Sequence, residues 1–152
     1  MAKERLKVGI IAVEHSSDRL GAKIIESLKD IFEIDLYGLG GPEVNANPIV
    51  TPNGIDYHDL HVMGLIDPLI KLPKIFLNRR KLLKLFNSKN IDIFIGVDSP
   101  DFNIFFHKKL KSNNVKTVQI VSPSVWGWRE NRIRTIEAYI DLTMCLFKFE
   151  CD

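Results

Sequence analysis

The chain predicts an α/β fold, a parallel sheet with helices on both faces. Three observations carry that expectation. Apolar-rich runs at 6–12, 91–97 and 115–121 fit strands, the first of them covered on both faces. Between them lie stretches with apolar residues at helical spacing, such as Leu20, Ala22, Ile24, Ile25 and Leu28. Strands alternating with helices imply βαβ units and right-handed crossovers. The composition agrees: 152 residues, 45% hydrophobic and 26% charged, exclude a disordered chain, a collagen-like repeat and a disulfide mini-scaffold.

The elements follow in order. Residues 6–12 form the first strand, ended by the polar cluster His15-Ser16-Ser17-Asp18. A helix begins there, with Ser16 or Ser17 as N-cap and Asp18 in the electropositive first turn. Residues 34–37 make a second strand, closed by the loop Gly38-Leu39-Gly40-Gly41-Pro42. Residues 47–60 read as loop with room for one short strand. Pro68 and Pro73 argue against a single unbroken helix over 62–86, because each lacks an amide donor and crowds the preceding turn. A short helix or turn, then a helix over 72–87, is expected instead. Residues 91–97 are the clearest strand and deliver Asp98-Ser99-Pro100-Asp101 at their carboxyl end. A helix over 102–112, a strand over 115–121, a helix over 129–138 and a last strand over 140–147 complete the chain.

No stretch reaches the ~18 uninterrupted apolar residues of a spanning helix, and the basic N-terminus leads into a strand, not a signal peptide. Cys145 and Cys151 lie too close together to staple the fold, which suits a reduced, cytosolic protein, with Cys145 buried in an apolar strand pattern. Net charge is +2, yet residues 62–86 carry Lys71, Lys74, Arg79, Arg80, Lys81 and Lys84 against the single acid Asp67. One basic segment in a near-neutral chain points to a local anionic partner, not to nucleic acid. Leu72, Ile75, Phe76 and Leu77 add more apolar surface than one buried face requires, which fits a segment lying on anionic lipid. A plain solvated helix face is the alternative.

In open parallel sheets ligands bind outside the carboxyl ends of the strands. That rule selects residues 13–18, 98–103 and 122–129, which should share one edge. Asp98 stands at a strand tip, where partial withdrawal from water suits a base working near neutral pH. Asp101 is open to the same role or to capping the next helix, and Glu14 to a site role or a buried ion pair. In Ser122-Pro123-Ser124-Val125-Trp126-Gly127-Trp128-Arg129, two indoles flank a glycine beside hydroxyls and a guanidinium. Sugar faces and acyl chains stack on such rings, and Arg129 suits a phosphate; packing under neighbouring helices is the other use for the rings. There is no GxGxxG, no P-loop lysine and no GxSxG elbow. Asp56, His58, Asp59 and His61 lack metal-site spacing, so neither cofactor nor metal is expected.

These segments resemble the N-terminal half of lipid-A-disaccharide synthase, an inverting glycosyltransferase family. The main matches are Val97-Asp98-Ser99-Pro100-Asp101-Phe102-Asn103 and Val121 to Arg129, with Glu14-x-Ser16-x-Asp18-x-Leu20-Gly21-Ala22, Gly38-x-Gly40-Gly41-Pro42 and Val62-Met63-Gly64 in support. The resemblance implies a Rossmann-like domain spanning 1–152 on the acceptor side of a two-domain enzyme, with the UDP-sugar-binding domain absent from this chain. It implies transfer from UDP-2,3-diacylglucosamine to 2,3-diacylglucosamine 1-phosphate (lipid X) in lipid A biosynthesis, at the inner face of the inner membrane. By motif position Asp98 is the base and Glu14 second. Ser16, Asp18, Asp101, Asn103, Ser122, Ser124, Trp126, Trp128 and Arg129 are expected to bind substrate. The lone chain is expected to be inactive, either a truncated form or half of a split enzyme whose other domain is a separate chain; a non-catalytic lipid-binding remnant is the alternative. Val13 and Ser17 replace the family's glycines, where a branched side chain and a residue averse to positive φ are expected to crowd the loop.

Overall fold

The structure, a computed structural model, describes residues 3–60, 67–122 and 130–146. Six strands form one all-parallel sheet: β1 (Arg5–Ala12), β2 (Glu33–Leu39), β3 (Ile49–Val50), β4 (Ile93–Val97), β5 (Lys116–Ile120) and β6 (Leu142–Met144). Their spatial order is β3-β2-β1-β4-β5-β6, so the chain reverses its direction of travel across the sheet between β1 and β4. This is the Rossmann-like arrangement, and the β1/β4 junction is its switch point. Four helices connect the strands: α1 (His15–Ile31), α2 (Asp67–Lys89), α3 (Pro100–Lys111) and α4 (Glu130–Tyr139).

Strand alternation divides the core into two layers. Val8, Ile10 and Ala12 of β1, with Ile95 and Val97 of β4, pack against Ala22 and Ile25 of α1. Ile11, Val13 and Phe94 point the other way, onto Leu82 and Phe86 of α2 and Phe106 and Leu110 of α3. The rings of Phe86, Phe94 and Phe106 meet with centroids 5.6–5.8 Å apart, two pairs tilted and the Phe86–Phe106 pair edge-on, the last an arrangement that aromatic quadrupoles favour.

Three expectations are corrected. The helix α2 is continuous from Asp67 to Lys89 with Pro73 inside it. Pro68 lies in the first turn, where an amide has no intrahelical acceptor, and Pro73 is exposed, on a face where water can serve the carbonyl that loses its donor. The N-cap of α1 is Glu14, with extended φ and ψ of −116° and 160°, and neither Ser16 nor Ser17. Cys145 is half-buried, not buried, because it follows the short edge strand β6.

Candidate functional site at the sheet switch point

The exits of β1 and β4 meet side by side. Residues 13–18 leave β1 and residues 98–103 leave β4, and the two loops are joined where the Ser99 hydroxyl donates to Glu14 Oε1 at 3.1 Å. Glu14 is exposed, which removes the buried ion pair from its possible roles. A cavity of about 340 Å³ opens here, lined by Val13, Glu14, Ile75, Ser99, Pro100, Asp101 and Phe102. Its acids and hydroxyl come from the strand exits, its apolar wall from α2 and the first turn of α3.

The β4 exit is strained. Asp98 and Ser99 both adopt left-handed backbone, φ 55° and 40°, at about 1–3 kcal/mol each for non-glycine residues. Side chains from below hold them there. The Asp98 carbonyl accepts hydrogen bonds from Asn103 Nδ2 at 2.7 Å and Gln119 Nε2 at 3.0 Å. Its amide donates to the Ile120 carbonyl at 2.8 Å. The Asp98 carboxylate accepts the Ser99 amide at 2.8 Å and is only half-buried. These bonds fix the backbone of a residue that is itself only half-buried. Ser99, not Asp101, is the N-cap of α3, Pro100 follows, and Asp101 is exposed in the first turn.

Val13 and Ser17 fit their loop without crowding. Val13 is 3% exposed and packs with Ile11, Leu39 and Phe86. Ser17 lies within α1, where its hydroxyl accepts the Glu14 amide at 2.7 Å and donates to the Glu14 carbonyl at 2.8 Å. This serves the α1 terminus as a capping box does.

Asp18 is 2% exposed, and its two carboxylate oxygens accept the amides of Glu43 and Val44, both at 2.9 Å. A Cβ on Gly41 would sit 2.6 Å from Asp18 Oδ2, so only glycine lets this loop close over the acid. Beside it the Tyr57 ring lies edge-on to His15, 6.1 Å between centroids. Burial, and then the charges of Asp18 and Glu14, push the Tyr57 hydroxyl pKa up.

Ser16 is exposed at the start of α1, Asn103 is fully buried with its amide committed to Asp98, and Ser122 follows β5 on the same edge. Ser124, Trp126, Trp128 and Arg129 lie outside the described residues. Of the basic segment, Lys74, Arg80 and Lys84 are exposed, and the Lys71 side chain is not described. Lys81 donates to the Asn53 carbonyl at 3.2 Å. Arg79 departs from the surface stripe: it donates to the Asp101 and Phe102 carbonyls and lies 4.8 Å over the Phe102 ring. Burial holds its pKa below the ordinary guanidinium value. Sequence reasoning missed Gln119, His107 and Arg79 as supports of this edge. Gln119 was detectable as a long polar side chain between Val118 and Ile120, and Asn103 with His107 as polar residues one helical turn apart.

Fold and edge define a class: an open, doubly wound α/β domain whose polar groups gather at the switch point. The family model for lipid-A-disaccharide synthetase matches residues 8–152, and the chain belongs to that family. It is 43% identical over 149 residues to a lipid-A-disaccharide synthase of Pseudoalteromonas translucida, covering 97% of this chain and 38% of the relative. It is 40% identical over 152 residues to lipid-A-disaccharide synthase 2 of Legionella pneumophila (99% and 39%), and 38% identical over 153 residues to the synthase of Acinetobacter baylyi (99% and 38%). The chain thus spans about two fifths of the length of these relatives.

Proposed function

We propose that residues 1–152 form the acceptor-side domain of a lipid-A-disaccharide synthase, with Asp98 as the base that draws the proton from the acceptor hydroxyl of lipid X. An alcohol is a poor nucleophile until its proton is removed, and inversion takes one in-line displacement, so a single carboxylate suffices. The reading rests chiefly on the juxtaposition of the β1 and β4 exits, where Glu14 and Ser99 line the cavity and Asp98 directly precedes Ser99 in the chain. Glu14 is placed to orient the acceptor through Ser99. Asp18, Asn103 and Arg79 then act by shaping the loops, while Ser16, Asp101, Ser122 and the residues 123–129 remain for substrate contact.

Donor binding belongs to a second domain of the kind for which the longer relatives have room, so the lone chain is expected to bind lipid X without turnover. The face of α2 beside the cavity supports a membrane role. Leu72, Phe76 and Leu77 are 41%, 57% and 53% exposed next to Arg80 and Lys84, apolar side chains flanked by cations, as at an anionic bilayer surface. Contact at the inner face of the inner membrane would deliver acylated substrates to the cavity. No helix among the described residues is long and apolar enough to cross a membrane.

The test is complementation. A chimera carrying residues 1–152 in place of the matching segment of the Pseudoalteromonas relative is expected to form the disaccharide from UDP-2,3-diacylglucosamine and lipid X, while the lone chain binds lipid X only. A folded chimera without transfer, together with a chain that sediments with vesicles but ignores lipid X, would establish the lipid-binding remnant instead.

A further inference from the structure

Three non-glycine residues at the β4 and β5 exits adopt left-handed backbone, and one side-chain amide bonds to two of them. Asp98 and Ser99 leave β4, and Val121 leaves β5 with φ 70°, a conformation that a β-branched residue strongly disfavours. The Gln119 Nε2 lies 3.0 Å from the Asp98 carbonyl, 3.1 Å from that of Ile120 and 3.3 Å from that of Val121. One buried amide therefore ties together both loop exits that border the site. Asn103 supplies the second donor to Asp98.

The orientation of that amide is itself determined. Three carbonyls around its nitrogen leave Gln119 Oε1 facing His107 Nε2 at 2.9 Å. An amide oxygen can only accept, so His107 must present its proton on Nε2. His107 is 1% exposed, and its ring packs edge-on to Phe94 at 5.1 Å, so it cannot swing away. Space for the assembly depends on Gly96, where a Cβ would sit 2.7 Å from Asn103 Nδ2 and 2.8 Å from Gln119 Oε1.

We propose that Gln119, oriented by His107, is a positioning residue that sets Asp98 and the β5 exit at Val121 and Ser122 relative to one another. The proposal rests on the reading of Asp98 as base. His107 and Gln119 touch no substrate; they hold the strained exits in the geometry that the chemistry uses. A strained loop persists only where its surroundings over-determine it, and here the surroundings are this chain of buried hydrogen bonds.

The experiment compares His107→Phe, which keeps the ring and removes the donor, with His107→Gln, whose amide nitrogen occupies nearly the place of the imidazole Nε2. In the chimera, His107→Phe is expected to lower kcat roughly 10- to 100-fold, the scale on which small misplacements act, with KM within about twofold. His107→Gln is expected to restore most of it. Gln119→Met, similar in volume, should behave as His107→Phe and serves if that variant does not fold. A kcat loss that merely follows the fall in Tm, or no rescue by His107→Gln, would overturn the proposal. Amide resonances of residues 98, 99 and 121 in the 152-residue chain give a readout independent of turnover: they should move in His107→Phe and return in His107→Gln. Unmoved resonances reject the clamp whatever the kinetics, whereas moved resonances with full activity in Asp98→Asn reject the base and leave the clamp standing.

Discussion

Replacing Asp18 by Asn separates a structural acid from a substrate-binding one. The side chain is 2% exposed and both oxygens accept amides at 2.9 Å. Asn keeps the shape and one acceptor, but turns an NH2 toward the amide of Glu43 or Val44. One hydrogen bond to a charged group is lost, worth about 1.5–3 kcal/mol, and a buried donor is left facing a donor. Together these give a destabilisation of about 2–4 kcal/mol. A domain of this size loses about 2–4 °C of Tm per kcal/mol, so Tm should fall by roughly 4–16 °C. Urea unfolding followed by far-UV circular dichroism measures the change directly, provided that the m-value is unchanged. A shift below about 0.5 kcal/mol, the range of an ordinary surface substitution, coupled with lost lipid X binding, would refute this account of Asp18.

Further outcomes follow from the same contacts. Gly96→Ala forces a methyl against Asn103 and Gln119 and should cost about 1–3 kcal/mol by overpacking; wild-type stability in denaturation would show that the network yields freely. Burial pushes the His107 pKa down to about 4, against a partial rise from Gln119. The unfolded chain then binds more protons between pH 6.5 and 4, so stability is full above that window and falls through it as pH drops, by about 3 kcal/mol at most. His107→Gln should flatten this part of the pH–stability curve, and an unchanged slope would contradict it. Asp141, bonded to Lys111 and to the Thr117 amide, is held down to about 2. Its contribution is present above about pH 4 and disappears toward pH 2, and Asp141→Asn should remove that acid-limb dependence. Sedimentation with anionic vesicles should weaken about thirtyfold when Arg80 and Lys84 become Gln, since each cation contributes about 1 kcal/mol near such a surface. It should also weaken with salt and in Phe76→Ser; binding indifferent to salt would refute the electrostatic part.

The central strands were legible because β1 and β4 are covered on both sides and read as apolar-rich runs, residues 91–97 most clearly. The common edge for residues 13–18, 98–103 and Ser122 followed from parallel strand order alone. What escaped depends on long-range pairing. Asp18 looks like any first-turn acid until the amides 25 and 26 residues away are placed on it. Arg79 sits in a row of surface cations, and only the approach of α3 draws it under Phe102. Pro73 is a helix breaker by local rules, yet α2 packs Leu82 and Phe86 into the core, and that tertiary gain outweighs one lost hydrogen bond. The N-cap of α1 was misplaced by one turn's worth of ambiguity, since Glu14 and Ser17 exchange the roles that a capping box usually assigns.

The decisive measurement is single-turnover transfer by the chimera carrying Asp98→Asn, made alongside its affinity for lipid X. Removal of a general base should slow the chemical step by roughly 10²–10⁴-fold and leave acceptor affinity within about twofold. Turnover equal to wild type, with the acceptor bound as before, would contradict the assignment of the proton to this carboxylate.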